Sequence, residues 1–138
     1  MSIPKNRKEA MRWLKTAKSD LESAGILHLS RKYSTCCFLC QQAVEKAFKA
    51  IHFLHDRDGW GHSIFLLLED MESFDLDSFN KLKKFSQVAL ELDRLYIPTR
   101  YPNGLPDLIP DEAYSCEDAE DSLEKAHDII EAIAEIIS

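Results

Sequence analysis

The chain has 138 residues, 45% of them hydrophobic and 30% charged, with a net charge of −7 from 17 Lys/Arg and 24 Asp/Glu. That length builds one domain, residues 1–138, around one core and is too short for two, and the negative balance argues against an extended nucleic-acid footprint. No apolar run approaches the ~18 residues of a membrane span, and the basic start Met1-Ser2-Ile3-Pro4-Lys5-Asn6-Arg7-Lys8 has no apolar stretch of a secretory signal, so a cytoplasmic protein is expected.

Five helices are predicted. The first covers residues 7–29, with Ala10, Trp13, Leu14, Ala17, Leu21, Ala24 and Leu27 recurring at steps of three and four. The second covers residues 32–56, its stripe running Tyr33, Cys36, Cys37, Cys40, Val44, Ala47, Ile51 and Leu54 before Gly59 and Gly61 break it. Phe38 falls nearly opposite Cys40 and Val44 at ~100° per residue. A wetted back face would not favour it, so this helix is either central or at a subunit interface. A third, short helix starts at His62 or Ser63. A fourth starts after Asp77 or Ser78, either a plausible N-cap, and carries Phe79, Leu82, Phe85, Ala89, Leu92 and Leu95. The fifth starts near Ser115, with Glu117 and Asp118 at the positive end of its dipole. Long helices with few breaks fit an all-α, antiparallel up-and-down bundle of about five helices, four long and one short.

Charge is unevenly spread along this plan. Residues 1–68 carry 11 Lys/Arg and 6 Asp/Glu, whereas residues 69–138 carry 6 and 18. The plain reading is that the halves complement each other, within the fold or across a dimer. The sharper one is a basic N-terminal face offered to an anionic ligand.

Four clusters bear chemistry. Cys36, Cys37 and Cys40 share one predicted helix, where neighbours are poorly placed for disulfides and behave as small core hydrophobes. Cys36 and Cys40 lie on one face but lack two more ligands at zinc spacing, so neither metal nor cofactor is expected. Gln41, Glu45 and Lys49 follow at four-residue steps, beside a parallel row of Gln42 and Lys46. A solvated face of i,i+4 pairs is their plain explanation. Arg57 and His62 are separated by four residues, a spacing that suits phosphodiester cleavage: the histidine moves a proton and the arginine holds the phosphate. Gly59 and Gly61 between them point instead to a flexible link. Finally, residues 96–110 hold four of the five prolines, Pro98, Pro102, Pro106 and Pro110. Fixed φ values stiffen this segment, which positions Arg100 and Tyr101. Arg100 then needs either an acidic partner or a phosphate for its forked guanidinium.

Taken in chain order, these residues resemble the HEPN family of small helical-bundle proteins over nearly the whole chain. The resemblance rests on Trp13, Ala17, Asp20, Leu21 and Ala24; on Cys37-Phe38 with Gln41-Gln42-Ala43-Val44-Glu45-Lys46-Ala47 and Lys49-Ala50; and on His62-Ser63-Ile64 with Leu67-Leu68. It continues through Leu92-Asp93, Tyr96-Ile97, Thr99-Arg100-Tyr101-Pro102, Tyr114 and Ala119. It implies a bundle that usually dimerises, an association with nucleotide binding, and a place beside a minimal nucleotidyltransferase in a two-component, toxin–antitoxin-like pair. Members that are ribonucleases carry an arginine followed after four to six residues by a histidine at a late helix start. Here His127 is far from Arg100, and Arg57 and His62 match the spacing at an earlier link.

The first functional expectation is therefore a non-catalytic binding module. It would be a homodimer that takes a nucleotide or other phosphate-bearing ligand, or a nucleotidyltransferase partner. Arg100 would hold phosphate, Tyr101 or Tyr114 would offer a stacking face, Gln41, Glu45 and Lys49 would hydrogen-bond, and His62 would line the same site. The alternatives are a metal-independent endoribonuclease using Arg57 and His62, and a purely structural interaction module.

Overall fold

The computed structural model describes residues 3–138; Met1 and Ser2, which open the stretch read above for a leader, lie outside the described residues. Three long helices make the frame: α1 (Ile3–Leu29), α2 (Tyr33–Leu54) and α7 (Cys116–Ile137). Between α2 and α7 run the short helices α3 (Ile64–Asp70), α4 (Leu76–Leu82), α5 (Ser86–Asp93) and α6 (Pro110–Ala113). The chain is all-α, with no strand among the described residues. The fourth helix expected from the sequence is built as α4 and α5, joined by a 3₁₀ turn at Lys83–Phe85.

α1 and α2 form an antiparallel hairpin, and α7 packs against both. Their turn closes as a Schellman motif: the Lys32 N–H donates to the Leu27 carbonyl (2.9 Å) and the Arg31 N–H to that of His28 (3.1 Å). Arg31 occupies the left-handed position, with φ 62°. α2 ends the same way, with the Arg57 N–H on the His52 carbonyl at 2.9 Å and Asp56 at φ 58°.

α2 is the central element. Cys36, Cys37, Cys40, Ala43, Val44, Ala47, Phe48, Ala50 and Ile51 are buried on it, and so are the polar Gln41, Glu45 and His52. It meets Ala10, Leu14, Ala17 and Ala24 of α1 and Ala126, Ile129, Ile130 and Ile133 of α7 in one core. Each buried branched side chain contributes ~1.5–3 kcal/mol. The three α2 cysteines are free and buried. Burial pushes the Cys37 thiol up to about 11, and all three pack in the apolar core as small hydrophobes.

Two expected helix starts shift. Asp75, not Asp77 or Ser78, caps α4, its carboxylate accepting the Ser78 N–H at 3.1 Å. A cap has to precede the first orphan N–H groups by two or three residues, and Asp75 is the residue so placed. At α3 the cap is Ser63, whose hydroxyl accepts the Leu66 N–H at 3.1 Å, leaving His62 just outside the helix. Ser115 caps α7 in a capping box with Asp118.

Candidate functional site

The site is assembled on α2 by the start of α3 and the segment after α5. Asp93, the last residue of α5, aims its carboxylate at the first turn of α3. It accepts from the Ser63 hydroxyl (2.8 Å), the Ile64 N–H (2.6 Å) and the Phe65 N–H (3.2 Å). An anion at a helix N-terminus satisfies orphan donors and the dipole together. This clamp fixes His62 on one side and the chain leading to Tyr96 on the other.

The His62 ring stacks on Tyr96, with centroids 4.8 Å apart at 19°. Its Nδ1 lies 3.4 Å from Glu45 Oε1. Glu45 is buried, and its charge is met from three directions: by His62, by Lys49 Nζ at 3.1 Å, and by Gln41 Nε2 at 3.3 Å. The fully buried Gln41 also donates to the His62 carbonyl at 3.3 Å and accepts from Gln42 at 2.7 Å. A buried carboxylate is tolerated only when paired and hydrogen-bonded in this way. The row Gln41, Glu45 and Lys49 is therefore an internal network, not the solvated face of the plain reading.

Arg100 completes the cluster from the proline segment. Its Nε donates to the Tyr96 carbonyl at 2.8 Å. Its guanidinium carbon lies 4.4 Å from the Tyr96 ring centre, 4.5 Å from Phe38 and 5.1 Å from Tyr101. Phe38 is thus covered within the chain, which makes α2 central rather than requiring a subunit there. Among the described residues, no carboxylate pairs with Arg100. The acidic C-terminal partner that the plain reading required is absent there, and the terminal nitrogens of a half-buried cation remain available. Arg100 lines a cleft of ≈ 560 Å³ together with Lys32, Ser34, Thr35, Phe38 and Thr99 and, on its far edge, Ile109, Pro110 and the acidic Asp111. A similar cleft of ≈ 580 Å³ between α4 and α7 is lined by Lys81, Lys84 and Glu135 and has no aromatic lining.

The structure brings Gln41, Glu45, Lys49, His62, Arg100 and Tyr101 into one continuous chain of contacts through Tyr96. It does not bring Tyr114, which packs on the core. Burial, and then Cys37, raise the Tyr114 phenol pKa. Arg57 and His62 have different neighbours. Arg57 lies over Phe74 (4.6 Å) and 3.9 Å from Asp70, on the face of α2 that carries His52. Tyr96, Asp93 and Phe38 had no site role in the sequence reading. The four-residue step from Tyr96 to Arg100 is the signal that would have joined them.

A HEPN domain model matches residues 10–137. The chain belongs to the HEPN family. Among solved structures, TT1696 from Thermus thermophilus is 34% identical, with a TM-score of 0.83 over 92% of this chain and 97% of that one. ST0689, described as an archaeal HEPN homologue, is 31% identical, with a TM-score of 0.74 over 94% and 98%. A protein of Methanocaldococcus jannaschii named "Putative toxin MJ1304" is 28% identical over 96% of this chain and 90% of its own length. The HEPN bundle here has no helix, among the described residues, long and apolar enough to cross a membrane.

Proposed function

We propose that this chain is a HEPN binding module that takes the phosphate of a nucleotide on Arg100. We place it as a homodimer partnered with a minimal nucleotidyltransferase in a toxin–antitoxin-like pair. The observation that carries the reading is the Arg100 guanidinium, held over three aromatic rings at the edge of a cleft with no carboxylate ion pair among the described residues. A planar fork whose two terminal nitrogens remain available suits bidentate phosphate recognition, and the exposed Tyr101 offers a base a stacking face. The similarity to a relative named a putative toxin supports the paired arrangement.

Calorimetric titration with ATP, GTP and their monophosphates tests this. Saturable binding is expected, lost in Arg100→Ala while the fold persists. No heat with any nucleotide, together with a lower melting temperature for Arg100→Ala, would make Arg100 a structural pin only. Co-expression with a minimal nucleotidyltransferase, read by co-elution, tests the partner.

A further inference from the structure

Three side chains from distant parts of the sequence converge where α1 ends and α7 begins. His28 Nε2 lies 3.5 Å from Cys116 Sγ and 3.5 Å from Glu120 Oε1, and Cys116 Sγ lies 3.3 Å from Glu120 Oε1. All three ligand atoms lie within 4.8 Å of one another. We propose that His28, Cys116 and Glu120 form a binding site for a divalent zinc-class cation, with a fourth position open to solvent.

Geometry is the first argument. A tetrahedral ion with bonds of ~2.3 Å to sulfur and ~2.0 Å to nitrogen and oxygen places its ligand atoms about 3.3–3.6 Å apart. The observed triangle already has those edges, so little rearrangement is needed to admit the ion. Ligand chemistry is the second. A thiolate, an imidazole and a carboxylate together suit zinc, cobalt or cadmium, whereas magnesium and calcium select oxygen-only shells. Charge is the third. Thiolate and carboxylate carry two negative charges beside a neutral imidazole, which one divalent cation neutralises. Without it, the thiol donates to the carboxylate, and the cation would take that proton's place.

The local fold explains the convergence. Cys116 and Glu120 are four residues apart on α7, hence on one face. His28 is in the last turn of α1, and the Schellman turn that follows sets Tyr33 6.0 Å from its ring. Tyr33 thus stands beside the cluster through its contact with His28, the place of an outer-shell group that orients a ligand. A bound ion would tie the end of α1 to the start of α7 across 88 residues of sequence. That separation is why the sequence reading, which sought ligands at short spacing, expected no metal.

The test is titration of the reduced full chain with Co²⁺, then displacement by Zn²⁺. The expected result is one equivalent bound, with tetrahedral d–d bands and a thiolate-to-cobalt charge-transfer band, and a melting temperature raised by Zn²⁺. Cys116→Ser and His28→Gln should lose the charge-transfer band and the thermal shift, while metal-free circular dichroism stays unchanged. Glu120→Gln should weaken binding. A charge-transfer band that survives in Cys116→Ser would assign the metal to the α2 cysteines and overturn the proposal. So would the absence of any tetrahedral cobalt spectrum in the wild type.

Discussion

Arg100 is held by Tyr96 twice over: its guanidinium lies 4.4 Å from the ring centre, and its Nε donates to the Tyr96 backbone carbonyl at 2.8 Å. One residue thus aims the cation by ring and main chain together. Among the described residues no carboxylate forms an ion pair with its terminal nitrogens. Truncation and charge-conserving replacement should therefore separate. Arg100→Ala removes contact with three rings and should cost about 1–2 kcal/mol, at roughly 0.5–1 kcal/mol per exposed cation–π contact with incomplete additivity. Arg100→Lys keeps the charge and loses the planar fork. It should recover much of the stability but little phosphate affinity. Urea denaturation and calorimetry on the two variants read these effects independently. Equal phosphate binding by Arg100→Lys and the wild type would remove the bidentate role.

The Asp93 clamp should be among the costliest polar positions in the chain. Its carboxylate takes three donors at 2.6–3.2 Å, two of them main-chain N–H groups of α3. Asp93→Ala leaves those donors without their acceptor. At ~1–3 kcal/mol for each unsatisfied group, and with water reaching some of them, the loss should be about 2–4 kcal/mol. Asp93→Asn keeps one acceptor and should lose less. The His62–Tyr96 stack depends on both sides of this clamp, so His62 proton resonances should move in Asp93→Ala. Unchanged His62 shifts would show that the stack is held by α2 alone.

How far the sequence reached is clearest by residue. The stripe Ala10, Leu14, Ala17, Ala24 is buried on α1, and Ala119, Ala126, Ile129, Ile130, Ile133 on α7, as helical periodicity implies. The all-α bundle followed from those stripes. Periodicity misled at Glu45 and Gln41, because a polar i,i+4 row looks the same whether it faces water or is satisfied by an imidazole and a lysine inside. Burial is set by what packs on the helix, here His62 and Tyr96, from 17 and 51 residues further along. The Asp93–Ser63 clamp and the His28–Cys116 approach are likewise long-range contacts that no local window contains.

A pH dependence should arise from His52. Its Nε2 lies 2.9 Å from the Leu67 carbonyl and its ring sits edge-on to Phe74 at 4.8 Å. Burial lowers its pKa, while the Leu67 carbonyl and Asp70 pull it back only partly. The folded pKa lies below the unfolded value of ~6.5, so the unfolded chain binds the extra proton in between. This contribution is complete above ~6.5 and is lost as pH falls from there through the folded value, with a limiting slope of ~1.4 kcal/mol per pH unit. Asp75 behaves separately. Burial raises its carboxyl, but the Ser78 hydroxyl and N–H and then His55 outweigh it, and the net shift is downward. Its contribution is lost only in the carboxylate range, below ~4. Urea midpoints from about pH 8 to pH 3 should fall in two stages, and His52→Gln should flatten the upper one alone. An unchanged upper stage in that variant would assign it to another histidine.

Gly59 and Gly61 provide a paired test of how the link behind α2 supports the site. Both have positive φ, 60° and 93°, so any side chain is strained at either position. Only Gly59 is also crowded: a Cβ there would meet Lys49 Cγ at 2.9 Å, Lys49 Cβ at 3.2 Å and His52 Cβ at 3.3 Å, whereas at Gly61 nothing lies within 4 Å. Gly61→Ala should therefore cost about 1–2 kcal/mol, the backbone term alone. Gly59→Ala should cost more, because Lys49 has to give way, and Lys49 is the cation on buried Glu45 at 3.1 Å. Displacing it weakens that ion pair, so the extra cost of Gly59→Ala over Gly61→Ala should shrink in a Lys49→Ala background, where Cγ is gone. Thermal melts of both glycine variants, with and without Lys49→Ala, separate the mechanisms. An excess cost of Gly59→Ala that is the same in both backgrounds would mean that the link acts through backbone strain and not through Lys49.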